Sequence, residues 1–148
     1  MSICFGTLAY MAPELFNAKA KLAQQVPVTI ARTVRARFGF EVPIVLRTFD
    51  ELGAVLLANP FLAEGAAETA LHVSFIADLP SAAAVQQLDP NRSPGDSFIV
   101  KGKEIYLHLP NGMARTKLTS QYFDSRLKTV GTARNWRTVQ QLHALMKS

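Results

Sequence analysis

Several absences narrow the reading before any motif is considered. One cysteine, Cys4, occurs in the 148 residues, so no intrachain disulfide forms and nothing points to an oxidising compartment. No apolar run is long enough for a membrane span: the longest, residues 53–63, is broken by Asn59-Pro60. Met1 to Leu15 has no basic segment before its apolar residues, which excludes a secretory-signal reading. GxGxxG and Walker loops are missing, as are repeats and low-complexity tracts. His72, His108 and His143 lack metal-ligand spacing with one another or with Cys4, so the expectation is no metal and no cofactor. Cys4 has no identifiable base beside it, and the carboxylates are dispersed, which leaves no catalytic constellation. The sequence reads as soluble and cytoplasmic.

What is present fits a folded chain. Hydrophobic residues make up 49 % and charged ones 18 %, and a chain of this length buries roughly 68–70 % of its unfolded surface without a staple. The formal charge of +5 is unevenly spread. Residues 1–100 carry seven basic and nine acidic side chains, whereas residues 101–148 carry nine basic ones against Glu104 and Asp124 alone. A basic last third on a slightly acidic body attracts anions; the competing reading is a solvated surface rich in cations.

Periodicity gives alternating helices and strands. Ile30, Ala31, Val34 and Phe38 recur at helical spacing over residues 28–38, and Gly39 stops the helix. Val42 to Arg47 reads as a short apolar strand, central in a sheet, with Pro43 near its start. Thr48-Phe49-Asp50-Glu51 has capping-box spacing and opens a helix to Ala58. Ala70 to Ala77 alternates as a strand with one face in the core, and Pro80 starts an Ala-rich helix to Leu88. Residues 89–96 form a loop; Ser97–Val100 and Glu104–Leu109 flank a Lys101-Gly102-Lys103 turn. A helix is predicted over residues 116–128, a short extended piece at 132–134, and a last helix capped by Asn135 with Val139, Leu142 and Met146 inward.

From residue 48 this order is α-β-α-β-β-α followed by an extended piece and a helix. The pattern predicts an α+β fold, ferredoxin-like, with one antiparallel sheet and helices on one face. Residues 16–47 supply only a helix and a strand, the closing part of an incomplete second such unit. The expected division is an unmatched segment 1–15, a remnant 16–47 and a ferredoxin-like domain 48–148.

Two family-level patterns occur. Gly6 to Leu15, with Ala12-Pro13-Glu14, resembles the end of a kinase activation segment, but the Gly-rich loop, strand lysine, catalytic aspartate loop and Asp-Phe-Gly are missing, which excludes phosphoryl transfer. Arg37-Phe38-Gly39-Phe40-Glu41-Val42-Pro43, Ala58-Asn59-Pro60-Phe61 and Leu71-His72-Val73-Ser74-Phe75 belong to a different set. Gly102 to His108, Arg115 to Thr119 and Thr132 to Val139 continue it in order. On these, about nine-tenths of the chain, from Phe16 to the end, resembles domain of unknown function 1697, a family of small, mostly bacterial proteins. The resemblance implies a pair of ferredoxin-like halves and no particular activity. Complete members open on a strand, a glycine-rich turn, a helix and a hairpin that Met1 to Leu15 does not match, so a truncated or rearranged chain is the expectation.

The basic third supplies the site residues. Gly112, Arg115 and Lys117 fall where one helix is predicted to begin, and Arg134, Asn135, Trp136 and Arg137 where the next begins. Converging helix starts would hold phosphate or another anion through free amides and guanidinium groups. Trp136 is read as core more than as a stacking surface, because large aromatic side chains are mostly buried. His72, Tyr106 and His108 are a second group, read as sharing one sheet face with Ser74, more suited to packing than to stacking bases. The function expected is binding of an anionic ligand, either nucleic acid or a phosphorylated small molecule. The alternatives are a small enzyme whose site needs the missing half, and an interaction module that forms a homodimer.

Overall fold

Local capping chemistry places most helix ends. The computed structural model describes residues 2–4, 8–11, 20–39 and 44–147. The Ala12-Pro13-Glu14 segment and the Phe40 to Pro43 part of the family motif lie outside them. Helix α1 is Ala20–Phe38, and Gly39 ends it with φ +76°, a conformation that glycine adopts without a Cβ clash. The helix begins well before residue 28 because residues 20–26 are mostly strong helix formers, and it continues through Pro27. At α2, Phe49–Leu57, Thr48 Oγ1 accepts from Glu51 N at 3.2 Å and Thr48 N donates to Glu51 Oε2 at 2.8 Å. The Asn59-Pro60 break is itself a start signal: Asn59 Oδ1 accepts from Phe61 N, and Pro60 opens α3, Pro60–Ala63.

Strands β1 (Ser2–Cys4), β2 (Leu8–Met11) and β3 (Ile44–Arg47) form one sheet in the order β1-β2-β3. Strand β3 pairs in parallel with β2 and, among the described residues, lies at the sheet edge rather than at its centre. The Arg47 side chain leaves β3 and bonds to the second sheet.

That sheet comprises β4 (Leu71–Ile76), β5 (Ser97–Lys101), β6 (Glu104–His108) and β7 (Gly131–Asn135), all antiparallel, in the order β5-β6-β4-β7. Gly131 sits so close to β4 that an added Cβ would meet the Phe75 carbonyl at 3.1 Å. Helix α4 is Ala82–Gln86, capped by Ser81 in place of the predicted Pro80 start. Helices α5 (Ser120–Leu127) and α6 (Trp136–Met146) follow, with Thr119 and Asn135 as their caps.

Helices cover both faces of this sheet, which corrects the expectation of one. Leu71, Val73, Phe75 and Tyr106 pack with Leu52 and Val55 of α2, Phe61 of α3 and Trp136, Val139, Leu142 and Met146 of α6. Val45 of β3 joins the same core. On the opposite face Ile76, Ile105 and Leu107 pack with Leu88, Leu118 and the α5 residues Tyr122, Phe123 and Leu127. The β4 sequence LHVSFI allows this because its apolar residues are not confined to one phase of the alternation. Among the described residues no helix is long and apolar enough to cross a membrane.

Candidate functional site

The sheet-face group separates when the strand register is traced. Val73 pairs with Tyr106 and Leu71 with His108, while His72 pairs with Leu107. Directly paired residues share a face, so Tyr106 and His108 lie on one face and His72 and Ser74 on the other. The expected common surface does not form. Tyr106 is buried, its hydroxyl donates to the Val55 carbonyl at 3.2 Å, and burial with the nearby Glu104 charge pushes its pKa up to about 12. His108 is half-buried with its ring 5.6 Å from that of Phe61. Both serve the packing of α2 and α3.

His72 yields a pH prediction. Its Nδ1 is buried without a hydrogen-bond partner, and burial holds its pKa below the ordinary 6.5, opposed more weakly by the Ala70 carbonyl. As pH falls, the unfolded chain therefore takes up this proton before the folded chain does. The contribution of neutral His72 is complete above about pH 6.5 and is lost progressively below it. Denaturant midpoints at pH 7.5 and 5.5 should show a smaller acid loss in His72→Gln than in the unsubstituted protein; equal losses would contradict this.

The five basic-third residues also divide. Arg115 and Lys117 do not stand at a helix start, because α5 begins three residues later than Lys117. The reason lies in competing side-chain acceptors. Ser93 Oγ takes the Lys117 amide at 3.1 Å, and Thr116 Oγ1 takes the Leu118 amide, so the helix waits for Thr119. Asn135 caps α6 as predicted, with Thr138 N donating to Oδ1 at 2.8 Å. Arg134 lies back along β7, donating to Thr132 Oγ1 and the Ala133 carbonyl, and Arg137 is exposed on the first turn of α6. Trp136 is buried in the core. Since α5 and α6 pack on opposite faces of the sheet, their starts do not converge.

A different set gathers beside α5. The 89–96 loop and the segment before α5 are laced together: Arg92 Nε donates to the Lys117 carbonyl at 3.0 Å, and Ser93 Oγ, which receives the Lys117 amide, donates to Asp96 Oδ2 at 2.7 Å. This lacing holds the Arg92 guanidinium 4.1 Å from the centre of the Tyr122 ring. Tyr122 is itself held, its hydroxyl accepting from Asp89 N at 2.9 Å. Arg126, one helical turn on, lies 5.8 Å from the same ring. Arg92, Thr119, Gln121, Tyr122, Ser125 and Arg126 line a cleft of about 250 Å³, and none of the six is acidic.

The acids of the last third do not neutralise this cleft from within. Glu104 is paired with Arg47 at 3.2 Å, and Asp124 turns one carboxylate oxygen into the interior, where burial raises its pKa. Lys117 meets Arg92 through its backbone carbonyl alone, and its side chain is not among those lining the cleft. Sequence reasoning missed Arg92, Tyr122 and Arg126 as a group; the Tyr122/Arg126 spacing was a legible signal, whereas the approach of Arg92 across thirty residues was not. Among the described residues no cluster of His, Cys, Asp and Glu is placed to hold a metal ion.

The architecture is that of a small α+β protein whose four-stranded antiparallel sheet is sandwiched between helices and whose cationic cleft lies on one helix. Residues 15–106 match the family described as protein of unknown function, DUF1697, and the chain belongs to that family. The match ends within β6, short of the nine-tenths expected, so the motifs at Arg115–Thr119 and Thr132–Val139 fall outside it. No curated protein and no solved structure matches the chain.

Proposed function

We propose that the protein binds an anionic ligand at the α5 cleft, with Arg92 and Arg126 as its cations. The observation that carries this reading is the pair of guanidinium groups held over one buried tyrosine, with no acid among the lining residues. Arginine forks match the oxygens of phosphate and carboxylate groups, and stacking on an aromatic ring leaves their outer N–H groups free to bind. None of the residues first expected to act lines this cleft: Lys117 touches it only through its backbone carbonyl, Arg134 lies on β7, and Asn135 and Arg137 belong to the α6 start. The β5-β6-β4-β7 order supports a ferredoxin-like reading of the sheet that presents α5. The lone cysteine supports a cytoplasmic setting, where phosphorylated ligands abound.

Thermal melting in graded phosphate tests the proposal against chloride at equal ionic strength. A ligand bound to the folded state alone raises the midpoint with its concentration. Phosphate should raise the midpoint beyond chloride, and Arg126→Gln should remove the excess. Identical curves in the two salts, or an excess that survives in both Arg92→Gln and Arg126→Gln, would reject it.

A further inference from the structure

We infer that the ligand of this cleft is the phosphomonoester of a small polyhydroxylated molecule, a sugar phosphate, rather than a nucleic-acid strand; the inference rests on the anion-binding reading above. Charge comes first. Two guanidinium groups share one ring as neighbour and no lining residue is acidic, so a dianion matches the site better than a single carboxylate does. A phosphomonoester carries nearly two negative charges at neutral pH, whereas each linkage of a nucleic-acid backbone carries one.

The aromatic surface argues in the same direction. Strand-binding proteins stack successive bases on exposed rings along a basic groove. Here the Tyr122 ring is buried and already capped by Arg92, Phe123, Tyr106 and Trp136 are buried in the cores, and no exposed ring lines the cleft. A nucleobase would have only the outer face of Arg92 to rest on.

The uncharged lining supplies the rest of the recognition. Thr119 Oγ1 already accepts from Tyr122 N at 3.2 Å, so its hydroxyl proton remains to donate to a phosphoryl oxygen. Ser125 Oγ donates to the Tyr122 carbonyl at 3.0 Å, which leaves it as an acceptor for a ligand hydroxyl. Gln121 offers both an amide donor and a carbonyl acceptor. Two cations, one hydroxyl donor and two groups able to accept from hydroxyls suit a phosphate joined to a polyol.

Calorimetric titration of the full chain with ribose 5-phosphate, ribose and a twelve-residue oligothymidylate tests the inference. Saturable binding of ribose 5-phosphate is expected, with ribose and oligothymidylate at least about tenfold weaker, and at least about tenfold loss of ribose 5-phosphate affinity in Arg92→Gln and in Arg126→Gln. Circular dichroism of both variants should match the unsubstituted protein, since both side chains are exposed and Arg92 gives up a single loop hydrogen bond. Oligothymidylate binding as tightly as ribose 5-phosphate, with both losing affinity in the arginine variants, would overturn the sugar phosphate while leaving the anion-binding reading intact. Binding of neither anion, or binding that ignores both substitutions, would overturn the two together.

Discussion

Replacing Arg47 with methionine is expected to lower the free energy of unfolding by about 3–5 kcal/mol, the range for removing one partner from a buried charge network. Arg47 ends an otherwise apolar strand, yet it is only 2 % exposed. Its Nη2 donates to the carbonyls of Ile76 and Lys103, both at 2.8 Å, its Nη1 to the Leu46 carbonyl at 2.8 Å, and its Nε to Glu104 Oε1 at 3.2 Å. The guanidinium also lies 5.5 Å from the centre of the Phe75 ring. Methionine keeps much of the apolar stem but leaves the Glu104 carboxylate unpaired and the Ile76 carbonyl short of a donor. Lys103 O is less affected, because it still accepts from Ile76 N at 3.0 Å.

Arg47→Lys restores a charge but not the planar fork that serves three carbonyls and a carboxylate together, so it should recover only part of the loss. Urea unfolding of the three proteins checks both statements. A loss below about 1 kcal/mol in Arg47→Met, the size of an exposed ion pair, would show that the network does not join β3 to the second sheet.

Trp136→Ala should cost a similar amount, about 3–5 kcal/mol, because it empties a large volume in a core that cannot collapse around it. Trp136 is the first residue of α6 and 1 % exposed, in one cluster with Leu71, Val73, Phe75 and Tyr106. Its indole N–H is buried without an acceptor in the protein. Trp136→Phe deletes that orphan donor along with part of the ring, so its cost should be well under half that of alanine. Chemical unfolding of the pair separates the two contributions. Equal losses for phenylalanine and alanine would mean that the indole N–H is paired and its hydrogen bond, not ring volume, is what matters.

Much of the local structure was legible because it is set by groups three or four residues apart. The Thr48–Glu51 capping box, the glycine stop at Gly39, the Asn135 cap and the hairpin about Gly102 each need only the chain's own nearby amides. The inward stripe of α6 was legible for the same reason: Val139, Leu142 and Met146 fall on one face at helical spacing whatever they meet. The misplaced start of α5 had competitors that periodicity does not register, one near and one distant: Thr116 takes the Leu118 amide, and Ser93, 24 residues away, takes the Lys117 amide.

The candidate site was half legible. A cationic last third was readable as composition, but the arginine that completes the cleft comes from a loop that reads only as Pro- and Gly-rich punctuation. Strand alternation wrongly put Tyr106 with His72, since alternation within each strand says nothing about the register between strands.

By itself, then, the sequence determined the α+β class, the alternation of elements, most helix caps and the position of the charge along the chain. Only the tertiary structure decided that helices cover both sheet faces, that Arg47 is a buried tie between sheets, and that Arg92 meets Tyr122 and Arg126. The division follows from range. Caps and periodic faces are settled by hydrogen bonds and burial within one or two turns. Register, face and cleft depend on contacts between residues 25 to 57 positions apart, such as Arg92 with Lys117 and Arg47 with Glu104. Such contacts are won only when the whole chain closes, and no local pattern encodes which distant partner arrives.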